Sequence, residues 1–341
     1  MSGKERAVVI CPGRGSYAAG ELGYLARHHG SRQSQIEALD TLRSAGGSAP
    51  IAALDTLPKF SPSKHLPGGN ASNLIYTSAL MDYTAIDFDR FEVVAVCGNS
   101  LGWYLSLACA GALSLENGAH LVDTMGHLMQ NEGVGGQLLY QVSHADWRVD
   151  LALRADVLAQ VEATQNAFLS IDLGGTLVLA GDDAAIDHLR KTLPPIDGNP
   201  PPVLPRHAAF HTSLLRDIAA TAQNRLPSSL FESPSIPLID GCGKIWSPNA
   251  SDRDALHRYT LDTQITTMYD FAKSLEVALK EFAPDRLILL GPGSSLGGPI
   301  GQCLIAHQWR GLQSRDDFMA SQADNPFLIA MGREGQRGLA D

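Results

Sequence analysis

Two short apolar runs each stop at a glycine turn. RAVVIC (6–11) ends at Pro12-Gly13-Arg14-Gly15-Ser16, and FEVVAVCG (91–98) ends at Asn99-Ser100-Leu101-Gly102. Apolar runs of this length without alternation predict strands covered on both faces, as in a central parallel sheet. Around them the apolar spacing lengthens to a helical period. It predicts helices over 18–28, 65–86, 100–113 and 114–130, the last opened by Ser114 with Glu116 and Asn117 in its first turn.

The pattern changes after Gly133. GGQLLYQVS (135–143) reads as a strand and 146–163 as a helix. AFLSIDL (167–173) and TLVLAG (176–181) read as a hairpin around Gly174 and Gly175, 182–193 as a helix, and PPVLPRHAAFH (201–211) as a last strand. This β-α-β-β-α-β order is the split βαβ pattern of a ferredoxin-like unit. Beyond it come a helix (212–226), a strand (236–240), a helix (266–282) and a strand (285–293). The fold class expected is α/β: a large α/β-hydrolase-like domain with a parallel sheet, residues 1–132 and 205–305. A ferredoxin-like small subdomain, 133–204, is inserted in it, and a polar C-terminal extension, 306–341, follows.

Composition narrows the partners. At 341 residues, 44% hydrophobic and 18% charged, the chain can bury a large core. A formal net charge of −10 and a pI near 5.5 disfavour nucleic acid and anionic membrane surfaces. No apolar run reaches transmembrane length, and the apolar run at the N-terminus is too short for a signal peptide. Cys11, Cys97, Cys109, Cys242 and Cys303 are scattered, without C-x-x-C. They read as reduced thiols of a cytoplasmic protein, with no metal site.

The second glycine turn carries chemistry. Gly98-Asn99-Ser100-Leu101-Gly102 is G-x-S-x-G, placed between a strand and a helix as a nucleophile elbow requires. A serine nucleophile needs a base. Of eleven histidines, His28, His29 and His188 read as structural residues on solvated helix faces. His211 ends the insert and overhangs the cleft between the two domains, where small-molecule sites form. It is the favoured base, with His207 and His127 as competitors.

Several segments in order resemble one family: CPGRGS (11–16), GNSLGWYLSLACAGALSLENGAHLVDTMGHLMQ (98–130), AAFHTSLL (208–215) and LILLGPGSSLGG (287–298). Over about residues 5–305 the chain resembles malonyl-CoA:acyl carrier protein transacylases and the acyltransferase domains of fatty acid and polyketide synthases. The resemblance implies acyl transfer with no bound cofactor. Acyl-CoA and a phosphopantetheinyl acyl carrier protein would be the substrates, and the protein a monomer. Ser100 would be the nucleophile, and His211 the base and then the acid. The backbone N–H groups of Leu101 and Arg14 would form the oxyanion hole. A backbone carbonyl near 259–262 would orient His211, in place of a third acid.

The chain departs from the family at the site. Arg14 stands where the turn usually has glutamine; it can hold a carboxylate or phosphate or point to solvent, and solvent is the favoured expectation. Asn99 stands where the elbow usually has histidine. Met125 stands where malonyl-type members place the arginine that pairs with the malonyl carboxylate. In the segment before the base, Phe210 matches the narrow malonyl type, while Ala208 makes room. Met125 and Ala208 together lead us to expect a preference for a non-carboxylated acyl group. The alternatives are malonyl specificity, hydrolysis of acyl groups from carrier proteins, and a non-catalytic scaffold.

Overall fold

The computed structural model describes residues 3–323 and 325–341. At its centre, β1 (Glu5–Cys11) and β2 (Phe91–Gly98) lie parallel, with Ile10 opposite Cys97 and Cys11 opposite Gly98. Ala7 to Cys11 are fully buried, as expected of a strand with helices on both faces. The Leu101–Cys109 helix that follows β2 is buried along nearly its whole length. The Gly68–Ala85 helix packs closely against the Leu115–Glu132 helix. Because β1 and β2 end level, their two glycine turns meet at the carboxyl edge of the sheet, where ligands of open α/β sheets bind. Among the described residues, no helix is long and apolar enough to cross a membrane.

A second sheet is built from β3 (Gly136–Gln141), β4 (Ala167–Asp172) and β5 (Thr176–Gly181), all antiparallel neighbours in the order β3-β5-β4. It has its own apolar cluster, with Leu138, Val157, Leu177, Leu179 and Leu189 among its members. Asp150 caps the helix Leu151–Ala163, which therefore starts later than its apolar pattern suggests. The strand expected over 201–211 does not form. Val203 makes a single bridge to Leu138, flanked by Leu204 N–H to the Gln137 carbonyl and Leu139 N–H to the Pro202 carbonyl. Pro201, Pro202 and Pro205 lack the N–H groups that a ladder needs.

The large sheet is completed from far along the chain. β6 (Leu238–Ile239) extends it beyond β2, with β7 (Ile245–Trp246) antiparallel to β6. The fourth strand of the small sheet is β8 (Tyr269–Asp270), parallel to β4. It interrupts the helix expected over 266–282, which instead starts at Phe271, capped by Asp270. β9 (Arg286–Leu289) lies on the far side of β1, and β10 (Leu328–Ala330) pairs with β9 as the edge strand. The last part of the chain, read from sequence as an extension, thus supplies a strand to the large sheet.

The C-terminal segment is also tied down by charge. Arg337 Nη2 lies 2.6 Å from Asp82 Oδ1. The same buried carboxylate accepts from the Tyr24 hydroxyl and the Gly291 N–H, both at 2.7 Å. His29 Nε2 lies 2.8 Å from it. His29, expected on a solvated face, is therefore fully buried.

Candidate active site

Ser100 holds φ 56° and ψ −107°, a conformation rare for a residue with a Cβ. The turn pushes its hydroxyl outward. Glycine on either side permits this. A Cβ on Gly98 would overlap the Gly102 backbone, and one on Gly102 would overlap the Cys11 carbonyl. A Cβ on Gly13, in the facing turn, would lie 2.8 Å from the Asn99 carbonyl oxygen.

His211 Nε2 is 2.7 Å from Ser100 Oγ. Its Nδ1 is 2.6 Å from the Gln264 carbonyl oxygen. That oxygen can only accept, so Nδ1 carries the proton and Nε2 turns a lone pair to the serine hydroxyl. Burial pushes the His211 pKa down from 6.5 to about 4, against the opposing effect of the Gln264 bond. The imidazole is therefore neutral, the form a general base needs.

The orienting carbonyl, expected near 259–262, is that of Gln264, two residues further on. A π-helical turn, Tyr259–Thr263, carries the helix further before it ends at Thr266. Carbonyls in a last helical turn have no partner within the helix, so this one is available to His211. The Gln264 side chain also serves the site. Its Nε2 donates to the Ser100 carbonyl (3.2 Å), and its Oε1 accepts from the Tyr104 hydroxyl (3.1 Å). The sequence reading missed Gln264. The only sequence signal was the helix end at the threonines that follow it.

The competing histidines lie elsewhere. His127 Nε2 bonds Ser48 Oγ (3.1 Å) and lies 3.6 Å from Asp123. His207 Nδ1 is 2.8 Å from Gln137 Oε1. Gln137 then donates to Ser170 Oγ (2.7 Å), which donates to the Phe210 carbonyl (2.8 Å). This chain ties the small sheet to the residue before His211. Burial, and then the nearby Arg14 charge, push the His207 pKa down to about 3.

Two chambers meet at Ser100. The smaller one, about 50 Å³, has a mostly apolar wall of Tyr104, Val122, Met125, Met129 and Ile265. The larger one, about 430 Å³, runs between the sheets past Asn99, Leu139, Val178, His207 and Leu296.

This elbow, base and carbonyl lie on a known fold. The malonyl-CoA:acyl carrier protein transacylase of Synechocystis sp. PCC 6803 superposes with a TM-score of 0.75 at 17% identity, over 98% of this chain and 99% of that one. A malonyl-transacylase in complex with its type II polyketide synthase acyl-carrier protein gives 0.70 at 18% identity, over 98% and 97%. By sequence, the malonyl CoA-acyl carrier protein transacylase of Salmonella typhimurium is 26% identical over 207 residues, 60% of this chain and 63% of that relative. The chain's relatives are malonyl-CoA:acyl carrier protein transacylases. They extend to synthases: part of the non-reducing polyketide synthase Preu6 of Preussia isomera is 30% identical over 175 residues, 48% of this chain and 8% of the synthase. The chain matches less than two thirds of the length of the Salmonella relative. No family model matches it.

The positions expected from sequence to depart from the family have distinct places. Met125, 3% exposed, is in the wall of the smaller chamber. Asn99 borders the larger chamber, and its Oδ1 is buried without a hydrogen-bond partner. Phe210 and Arg14 border both. Ala208 borders neither. It packs at Gly133, where an added Cβ would come 2.7 Å from its own, so it makes no room for an acyl group. Arg14, expected to face solvent, turns inward. Its Nη2 donates to the Leu66 carbonyl (3.2 Å), and its guanidinium carbon lies 5.6 Å from the centre of the Phe210 ring. Burial lowers its pKa to about 10, which leaves it charged at neutral pH.

Proposed function

We propose that this protein is a serine acyltransferase that moves an acyl group from a CoA thioester to the phosphopantetheine thiol of an acyl carrier protein. The observation that carries this reading is the Ser100–His211 pair, 2.7 Å apart, with the other imidazole nitrogen held by the Gln264 carbonyl. Ser100 Oγ attacks the thioester carbonyl while His211 Nε2 takes its proton. A C–O bond forms as the C–S bond breaks, and the proton passes to the leaving thiolate. The carrier thiol then attacks the acyl-serine by the reverse route. The N–H groups of Leu101 and Arg14 would bind the oxyanion, worth roughly 2.7–4 kcal/mol per donor. Leu101 opens its helix, so its N–H has no intrahelical acceptor. No step calls for a cofactor.

Met125 places a thioether where a carboxylate would otherwise meet an arginine, so the Leu115–Glu132 helix offers the acyl group no charge. Taken alone, this favours an uncharged acyl group. A second reading, a carboxylated acyl group, is favoured by the inward turn of Arg14.

The test is intact-mass detection of acyl-Ser100 after mixing with acyl-CoA. Addition of holo acyl carrier protein follows, with acyl-carrier and free acid measured separately. Acyl-carrier as the product supports transfer; free acid alone would make the protein a hydrolase. Ser100→Ala is expected to lose the adduct completely and to lower turnover by at least 1000-fold, and turnover that persists would end the acyl-serine reading.

A further inference from the structure

We propose that Arg14 is a specificity-determining residue: its guanidinium, carried by the turn after β1, receives a free carboxylate on the acyl group, in place of an arginine on the Leu115–Glu132 helix. This rests on the acyl-Ser100 reading and deepens it.

Arg14 is part-buried as a residue, but its Nε is fully buried and has no acceptor. Burying a guanidinium is costly unless an anion or a full set of acceptors compensates it. The buried side chains of Arg43 and Arg337 and the part-buried one of Arg154 each meet an aspartate: Asp123, Asp82 and Asp172 respectively. Arg14 meets no carboxylate within 4 Å among the described residues. Of its five N–H donors, one reaches the Leu66 carbonyl, and Nε is buried without any acceptor. The Leu66 bond and the Phe210 ring hold the planar group in place. They leave donors for a ligand, and a guanidinium fork suits a carboxylate.

Position selects which anion. Arg14 borders both chambers together with Ser100. With the thioester carbonyl at Ser100, the phosphates of CoA or of a carrier arm lie at the far end of the pantetheine chain, many bonds from the nucleophile. The acyl group is the part of the substrate that lies beside the nucleophile, so the anion must be its own. Val122, Met125 and Met129 then pack against its methylene carbons. The cation is supplied from the turn after β1 and not from the Leu115–Glu132 helix.

The test compares the wild type with Arg14→Gln and Arg14→Lys. Each is mixed with malonyl-, succinyl-, acetyl- and butyryl-CoA, and the rate of acyl-Ser100 formation is read by intact mass. The wild type is expected to favour the dicarboxylic donors at least tenfold. Arg14→Gln should lose at least tenfold of that ratio, and Arg14→Lys should keep part of it. Faster wild-type acylation by the neutral donors overturns the proposal, whether or not the variants fold. So does an Arg14→Gln protein with an unchanged ratio, or one that slows equally with all four donors. A wild type that takes no acyl group ends the acyl-serine reading instead. In that case calorimetric titration with malonyl-CoA and acetyl-CoA decides about Arg14, and malonyl-CoA binding no tighter than acetyl-CoA overturns the assignment.

Discussion

His211 is kept neutral by burial while one carbonyl fixes its tautomer, so its ionisation should mark the reaction. Acyl-Ser100 formation is expected to stay level from pH 8 to about 5. It should fall about tenfold per unit once pH drops below the His211 pKa of about 4. Rapid-quench intact mass across pH measures this, and an inflection at the ordinary histidine value of 6.5 would contradict it. The same shift bears on stability. The unfolded chain binds this proton below about 6.5 and the folded chain only near 4, so stability is lost as pH falls through that window. The loss is about 1.4 kcal/mol per pH unit for each such histidine. His207, pushed down to about 3, adds to it in the same direction. Circular dichroism at each pH therefore separates loss of base from loss of fold.

Among the elements, the helical run from Arg253 to Thr266 does the positioning. Trp103 Nε1 donates to Thr260 Oγ1 (3.0 Å), and the Tyr104 hydroxyl donates to Gln264, so this run grips the elbow helix at two points. Gln264→Ala keeps the backbone carbonyl that holds His211. It removes the bond to the Ser100 carbonyl and strands the Tyr104 hydroxyl. We expect kcat to fall about tenfold, or ~1.4 kcal/mol, with KM changed less than threefold. Stability should drop by about 1–3 kcal/mol from the unpaired hydroxyl. Steady-state kinetics and urea unfolding read the two effects separately. Helices and buried strands near the elbow were legible in sequence because their periods and capping residues are local. The 201–211 run was misread because apolar residues outnumbered its prolines in the pattern, while the missing N–H groups decided the structure.

Across the whole molecule, the C-terminal segment is part of the large domain's core. Arg337 reaches a carboxylate that is also held from two other parts of the chain, by Tyr24 and His29 and by Gly291. Burial alone would raise the Asp82 pKa, but the bond from His29 and the Arg337 charge hold it below the usual carboxylate range. Arg337→Ala leaves that carboxylate buried and short of its cation. The expected cost is about 3–5 kcal/mol, measured as a lower urea midpoint, and Arg337→Lys should recover part of it. A change under 1 kcal/mol would mean that the edge strand β10 holds the segment without this pair. The two sheets are likewise joined by distant residues: β8 pairs with β4, and the Tyr269 hydroxyl donates to the Gly98 carbonyl at the elbow (2.6 Å).

The sequence by itself determined the nucleophile elbow, because a strand, a G-x-S-x-G turn and a helix are specified by neighbouring residues. It pointed to His211 because the chain there returns from one domain to the other. It singled out Met125 only through the resemblance of 124–130 to the family's pattern. Only the tertiary structure decided which carbonyl orients the base, where Arg14 points, that Ala208 lies away from the acyl group, and that Asp82 and Arg337 meet. Each of these depends on what lies opposite a side chain after hundreds of residues have folded back. Periodicity and turn chemistry act over a few residues, whereas the acceptors left for a buried charge are set by the packing of the whole chain.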